Sequence, residues 1–192
     1  MREPWTREHI EAALRLRPPR RYPLPGFQRA AVLVALFQQD GETRLWLLRR
    51  RDDGSPHGGQ VALPGGKAEA GDRDLQATAL REAYEEVRLP PHEVQMLGQL
   101  DERVTITRYR VTPFVGWLDH VIDPSPNPGE VSRVFSAPLA AFGGVPDRRV
   151  VKLAGFERTV NCRVVDGEIV WGATFAMLRK LARRLAEMAR DQ

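Results

Sequence analysis

At 192 residues with 42% hydrophobic content, the chain can bury one sizeable core and stands near the upper range for a single domain. Its lone cysteine, Cys162, excludes an internal disulfide and a cysteine-based zinc cluster, and no apolar run approaches the roughly 18 residues of a membrane span. A net charge of +4 suits nucleic acid or a small polyanion, but much of the excess comes from arginines scattered near both ends, so no nucleic-acid partner is expected.

The N-terminus, MREPWTREHIEAALRL, lacks the apolar core of a secretory signal, so a cytoplasmic location is expected. Residues 6 to 16 read as a helix, with Thr6 as its cap and Glu8 in its first turn. A Pro-rich connector, RPPRRYPLPG, follows. AAVLVALFQ reads as a buried strand, Asp40-Gly41 as a hairpin turn and TRLWLLRR as the partner strand. The VAL run leads into Pro64-Gly65-Gly66, and residues 74 to 88 read as a helix. VQMLGQLD, VTITRYRVTPFVGWLD and VVKLAGFERTVNCRVVDGEIVWG alternate as strands, with SAPLAAF a short helix between them and Asp166-Gly167 a second hairpin turn. In the last helix Phe175, Leu178, Leu181 and Leu185 form an apolar stripe. Glu187 and the helix's shortness favour core packing over a membrane surface. The sum is a mixed sheet flanked by helices in one domain over 1–192, with a helical extension at 1–29, a core at 30–172 and a C-terminal helix at 173–192.

Between Gly65 and Leu89 the sequence GGKAEAGDRDLQATALREAYEEVRL joins a double-glycine turn to a helix. Glu82, Glu85 and Glu86 stand three and four positions apart, so all lie along one stripe. Like charges there repel, which a hard divalent cation would neutralise. The alternative is a solvated acidic face. Arg81 can hold a carboxylate in place or meet a phosphate with its planar fork.

Gly66, Arg81, Glu82, Glu85, Glu86 and Leu89 resemble the box of the Nudix hydrolases, G-x5-E-x7-R-E-U-x-E-E-x-G-U with U aliphatic. Here Arg81 lies one position later than the pattern, Asp72 stands near its first Glu, and Arg88 replaces its final Gly. Upstream, Leu47, Leu48, Arg51, His57, Gly59, Pro64, Gly65 and Gly66 resemble a second signature, that of the coenzyme A pyrophosphatase branch. Arg49 and Leu63 replace its Thr and Phe. The one-residue-longer box also occurs in that branch.

The resemblance implies an α/β/α sandwich with a mixed sheet, and magnesium-dependent hydrolysis of a diphosphate linkage, with manganese as a possible substitute. It implies cleavage of coenzyme A or its thioesters to 4′-phosphopantetheine and adenosine 3′,5′-bisphosphate. Glu82 and Glu86 are the expected metal ligands, with Glu85 on a second ion or a water, the Gly66 carbonyl completing the shell and Arg81 orienting a carboxylate. Glu130, in the loop PNPGEVSRVFSAPL, is a candidate general base, the alternative being a solvated loop acid. His57 and Gly59 are candidate substrate contacts, with a structural role for His57 the alternative. Arg49, Arg51 and Lys67 are candidates for the 3′-phosphate. Two other readings share parts of this pattern: a hydrolase for NADH, ADP-ribose or a dinucleoside polyphosphate, and a basic RNA-binding or regulatory module without catalysis.

Overall fold

The computed structural model describes residues 5–55, 57–153 and 155–189; residues 1–4 of the expected extension and 190–192 of the expected last helix lie outside them. Helix α1 (Arg7–Arg15) starts where Thr6 predicts, and His9 completes a capping box: its N–H donates to the Thr6 hydroxyl while its Nδ1 accepts from the Thr6 N–H. Strand β1 (Gln28–Gln39) and β2 (Glu42–Arg50) form a hairpin. Asp40 and Gly41 turn it with φ of 51° and 74°, the left-handed pair that matches strand twist.

Alternation along β1 divides the core. Ala31, Leu33, Ala35 and Phe37 face helix α2 (Leu75–Val87), packing with its Ala79, Ala83 and Val87. Val34 and Leu36 point the opposite way, into a cluster with Ile10 and Leu14 of α1 and Phe175, Leu178, Leu181 and Leu185 of α3 (Gly172–Met188). A period of two on a strand buried on both faces therefore builds three layers, helix on sheet on helix.

The sheet holds β3 (Val61–Ala62), β2, β1, β7 (Tyr109–Trp117) and β5 (Gln95–Gln99) in that order, with β1 and β7 parallel. β4 (Gly65–Lys67) pairs with residues 30–32 of β1, whereas β2 pairs with residues 36–39. The first half of β1 thus has β4 beside it, and this inserts the double glycine between β1 and α2. β6 (Arg103–Val104) joins β7, and β8 (Val131–Pro138) joins β2, making eight strands among the described residues.

Several expectations need correction. The expected strand over 104–119 is broken at 105–108 by a turn in which Arg108 takes φ 62°. The expected helix SAPLAAF is a helix only at its end, a 3₁₀ turn at Leu139–Phe142, because Ser136–Pro138 belong to β8. The three C-terminal strands, β9 (Asp147–Leu153), β10 (Phe156–Val165) and β11 (Glu168–Trp171), form a separate antiparallel sheet and do not extend the mixed one. Many side chains of β10 are exposed, so these strands lack the two buried faces of the central strands.

Candidate active site

Gly65 is there because nothing larger fits against the β1 backbone, and Gly66 because a side chain would displace the Glu82 carboxylate. A Cβ on Gly65, whose φ is 152°, would lie 2.3 Å from the Ala31 carbonyl oxygen, and one on Gly66 would lie 2.4 Å from Glu82 Oε1. The strand edge therefore approaches α2 closely enough for the carboxylate of Glu82 to lie over Gly66. The sequence places Gly66 in an open turn; the structure places it in β4, paired with Ala31. A carbonyl oxygen in a ladder keeps a second lone pair.

The acidic stripe is not a solvated face. Glu86 is 1% exposed, and its Oε2 accepts from the Gly65 N–H at 2.8 Å while its Oε1 lies 3.3 Å from Arg50 Nη2. Burial pushes the Glu86 carboxyl up to about 7; the charge of Arg50 and the Gly65 N–H oppose this, and the charges of Glu82 and Glu130 add to it. Glu82, with 14% of its side chain exposed, is also pushed up by burial, against the pull of Arg81. Glu85 is half exposed and lies 2.9 Å from Arg81 Nη1.

Arg81 organises this end of the helix. Its Nε and Nη2 donate to Asp72 at 3.0 and 3.2 Å, Nη2 donates to the Lys67 carbonyl at 3.0 Å, and Glu82 Oε1 stands 3.2 Å from the same nitrogen. Asp72 also accepts from the Thr78 hydroxyl and the Glu69 N–H. These bonds, that of Arg81 first, hold its carboxyl far below the usual range. The extra residue between Asp72 and Arg81 is thus accommodated in a turn that still brings the two together. Arg88, where a glycine is expected, takes the left-handed conformation itself with φ 57°, its N–H donating to Tyr84 O at 3.0 Å and its guanidinium over the Tyr84 ring. A non-glycine there costs about 1 kcal/mol.

Glu130 reaches the cluster through a docked loop. Ser125 and Asn127 donate their N–H groups to the Val87 and Glu86 carbonyls at the end of α2, and the Arg51 N–H donates to the Glu130 carbonyl at 2.7 Å. Asn127 Nδ2 donates to Glu130 Oε1 at 3.3 Å. Its charge stands near enough to Glu82 and Glu86 to add to the rise that burial causes in both.

The remaining sequence candidates lie around this cluster. The Arg51 side chain donates to the Pro128 carbonyl and so braces the Glu130 loop. The Lys67 ammonium lies 5.7 Å over the Tyr109 ring. Arg49 lies 3.5 Å from Glu168 of β11. His57 is exposed with Nδ1 3.3 Å from Gln60 Oε1, and Gly59 takes φ 70° in the same loop. This loop borders a groove of about 600 Å³ whose walls include Arg49, Gln60, Lys152 and Trp171. Arg50 is the residue that sequence reading missed. It could have been found from the period of β2: two positions after the buried Leu48, which packs on the α2 side, it must point toward α2.

Five carboxylates, Asp72, Glu82, Glu85, Glu86 and Glu130, thus face two guanidinium groups, Arg50 and Arg81. Among the described residues no three His, Cys, Asp or Glu side chains stand close enough together to enclose a cation as they are. The fit is in the chemistry of the donors: hard oxygen ligands, partly desolvated and mutually repelling, match a magnesium-class ion. Glu82 and Glu86 could hold it.

Residues 27–153 match the NUDIX domain family model. The chain is 45% identical over 125 residues to Nudix hydrolase 15, mitochondrial, of Arabidopsis thaliana, covering 64% of this chain but only 44% of that protein. It is 35% identical over 174 residues to the Nudix hydrolase NudL of Photorhabdus laumondii, covering 90% of this chain and 92% of that one. Among solved structures, a Caenorhabditis elegans Ap4A hydrolase in a binary complex superposes with a TM-score of 0.55 at 17% identity, over 86% of this chain and 99% of that one. A Nudix hydrolase from Alicyclobacillus acidocaldarius superposes with 0.57 at 18%, over 86% and 96%. Those two likenesses show the fold. With the family model spanning most of the chain and the glycine edge, Arg81 and the three glutamates folded into one cluster, the chain belongs to the Nudix hydrolases, enzymes that cleave pyrophosphate linkages.

Proposed function

We propose that this enzyme hydrolyses the diphosphate of coenzyme A and its thioesters, releasing 4′-phosphopantetheine, or its acyl form, and adenosine 3′,5′-bisphosphate. Water adds to one phosphorus, the P–O–P bond breaks, and the departing phosphate oxygen takes a proton. Glu82 and Glu86, with Glu85 and the Gly66 carbonyl beside them, would hold magnesium, or manganese in its place, and the ion would supply charge neutralisation at the diphosphate and a more acidic water. Arg81 holds Glu82 and Glu85 from one side, itself fixed by Asp72. Arg50 holds Glu86 from the other. Glu130 accepts the proton of the water at its carboxylate, which Asn127 orients.

The observation that carries the substrate class is the course of the upstream signature. Its first part is the strand that delivers Arg50 to Glu86, its last part is the Gly65-Gly66 edge, and the His57–Gly59 loop between them borders a groove with Arg49 and Lys152 on its walls. Coenzyme A carries a 3′-phosphate besides its diphosphate, so cations beside the catalytic edge have something to bind. Losing one charge-assisted contact costs about 1.5 to 3 kcal/mol, roughly 10- to 150-fold.

Turnover with magnesium on coenzyme A, dephospho-coenzyme A, ADP-ribose, NADH and a dinucleoside tetraphosphate, with products identified, tests the proposal. kcat/KM should fall from coenzyme A to dephospho-coenzyme A and again to ADP-ribose. An equal or higher value on ADP-ribose, NADH or the dinucleoside would assign the enzyme to that substrate instead.

A further inference from the structure

Helix α3 carries the molecule's second concentration of charge, on the face of the mixed sheet opposite α2. Gly172, Phe175, Ala176, Arg179, Lys180, Arg183, Arg184 and Glu187 recur at helical spacing, and they form one wall of a groove of about 690 Å³ completed by Arg17, Val160, Asn161 and Trp171. The volume is that of a small-molecule site. Five cationic side chains line it against the single acid Glu187.

The fold consumes only part of this charge. Asp101, 3% exposed, is the acid behind the groove, and it serves two cations: Lys180 Nζ pairs with its Oδ2, and Arg184 Nη2 with its Oδ1 at 2.9 Å. Arg184 is 2% exposed, yet its Nε and Nη1 are buried without a hydrogen-bond partner, and the Nε of Arg179 is in the same state. Leaving a buried guanidinium donor unmade costs about 1 to 3 kcal/mol or more. Arg17 adds a like charge close enough to act on Arg184. Glu187 faces Arg183 at 3.9 Å, an exposed pair of small energetic consequence. A helix built only to pack would need the apolar stripe and not this one.

The two ends of the groove differ. At the start of α3, Trp171, Phe175 and Ala176 present aromatic and apolar surface beside the Asn161 amide. Two turns on, the lining is Arg179, Lys180, Arg183 and Arg184. A flat ring stacks on an indole, an amide reads ring edges, and guanidinium forks bind phosphate oxygens in pairs. We propose that this groove is a second, non-catalytic site that binds a nucleotide bearing at least two phosphates, base toward Trp171 and phosphates toward Arg179 and Arg183.

The test is titration of the full chain with ADP in metal-free buffer, followed by calorimetry and tryptophan fluorescence, beside inorganic pyrophosphate, adenosine and a short RNA. Arg179→Ala/Arg183→Ala alters the solvent side of α3 and leaves the Asp101 pairing in place. ADP should bind the parent, at least tenfold more weakly after this double substitution, with magnesium-dependent turnover of the substrate unchanged. Asn161→Ala, which alters the base end of this groove alone, should weaken ADP several-fold and leave pyrophosphate binding unaltered. If the double variant does not fold, amide exchange over residues 171–187 of the parent replaces it, and ADP should slow exchange there. Unchanged ADP affinity in the double variant, or no protection over 171–187, overturns the site. Pyrophosphate binding as tightly as ADP, or RNA binding where ADP does not, overturns its assignment to a nucleotide.

Discussion

Arg50 Nη2 lies 3.3 Å from Glu86 Oε1 and 3.1 Å from the Gly65 carbonyl oxygen, so one guanidinium links the end of β2, the glycine edge and the most buried carboxylate of the site. Arg50→Met keeps the length and removes both interactions. Glu86 would then keep only the Gly65 N–H, and its carboxyl should rise above its present value near 7. The expected result is an acid limb of the kcat profile displaced to higher pH and a loss of about tenfold in kcat at pH 7. Arg50→Lys should recover part of it. A pH profile identical to the parent's would show that the contact plays no part in preparing Glu86.

Glu82→Gln and Glu86→Gln keep size and remove charge. If each carboxylate contributes several kcal/mol of charge stabilisation to a bound divalent ion, kcat should fall on the order of 10²-fold or more in each variant. Circular dichroism should show both folded, since an uncharged amide in place of Glu86 can still accept the Gly65 N–H. Near-normal turnover in both, with magnesium, would remove these residues from the metal site.

The raised carboxyl of Glu86 has a consequence for stability. Its folded value is near 7 and its unfolded value is that of an ordinary glutamate, about 4.3. Between these the folded state binds more protons than the unfolded, so the stability of metal-free protein falls as pH rises through roughly 4.5 to 7, and levels off above. Glu82, pushed the same way, adds to the slope. Asp72 and Asp101 are held low and act with the opposite sign, but only below the ordinary carboxyl range. Thermal melts should show Tm declining across that window, Glu86→Gln flattening the decline, and magnesium raising Tm most at its upper end. A Tm that rises from pH 5 to 7 without metal would contradict the assignment.

Much of this site was legible in the sequence because helical spacing and the close approach of glycine are local rules. Glu82, Glu85 and Glu86 lie on one stripe whatever they pack against. Arg50 was obscured by its neighbours: in Arg49-Arg50-Arg51 three identical side chains go three ways, to Glu168, Glu86 and the Pro128 carbonyl, and only strand alternation separates them. In the sequence β8 reads as loop because Pro126, Pro128 and Gly129 precede it. Its pairing with β2 spans about ninety positions of sequence, and no local pattern reports such a contact. The separation of β9–β11 into a second sheet is likewise a matter of what covers the strands, which alternation alone does not specify.

Asp101 ties the segment after β5 to α3. Although burial pushes its carboxyl up, the Lys180 hydrogen bond, the Arg20 N–H and the charges of Lys180 and Arg184 outweigh it and hold it low. Asp101→Asn leaves Arg184 charged, buried and unpaired, which costs about 3 to 5 kcal/mol. For a chain of this size that is a fall in Tm of roughly 6 to 20 °C. Asp101→Asn with Arg184→Met should recover much of the loss. A single variant as stable as the parent would mean the pair is dispensable.

Glu130 is held by a loop that hydrogen-bonds to the end of α2 and by Asn127 at one carboxylate oxygen, so its charge is delivered to the cluster from outside the helix. A base in that position needs no share of the metal. Glu130→Gln should therefore lower kcat 10²- to 10⁴-fold, the usual contribution of a placed proton acceptor, while the magnesium concentration giving half-maximal rate stays within about twofold. Asn127→Ala, which frees the carboxylate but keeps its charge, should cost less in kcat and leave metal dependence alone. If instead Glu130→Gln retains most of its kcat across pH, the proton acceptor lies elsewhere, and the pH profile of Glu85→Gln distinguishes that carboxylate from a hydroxide on the metal. A change confined to metal affinity would make Glu130 a ligand and not a base.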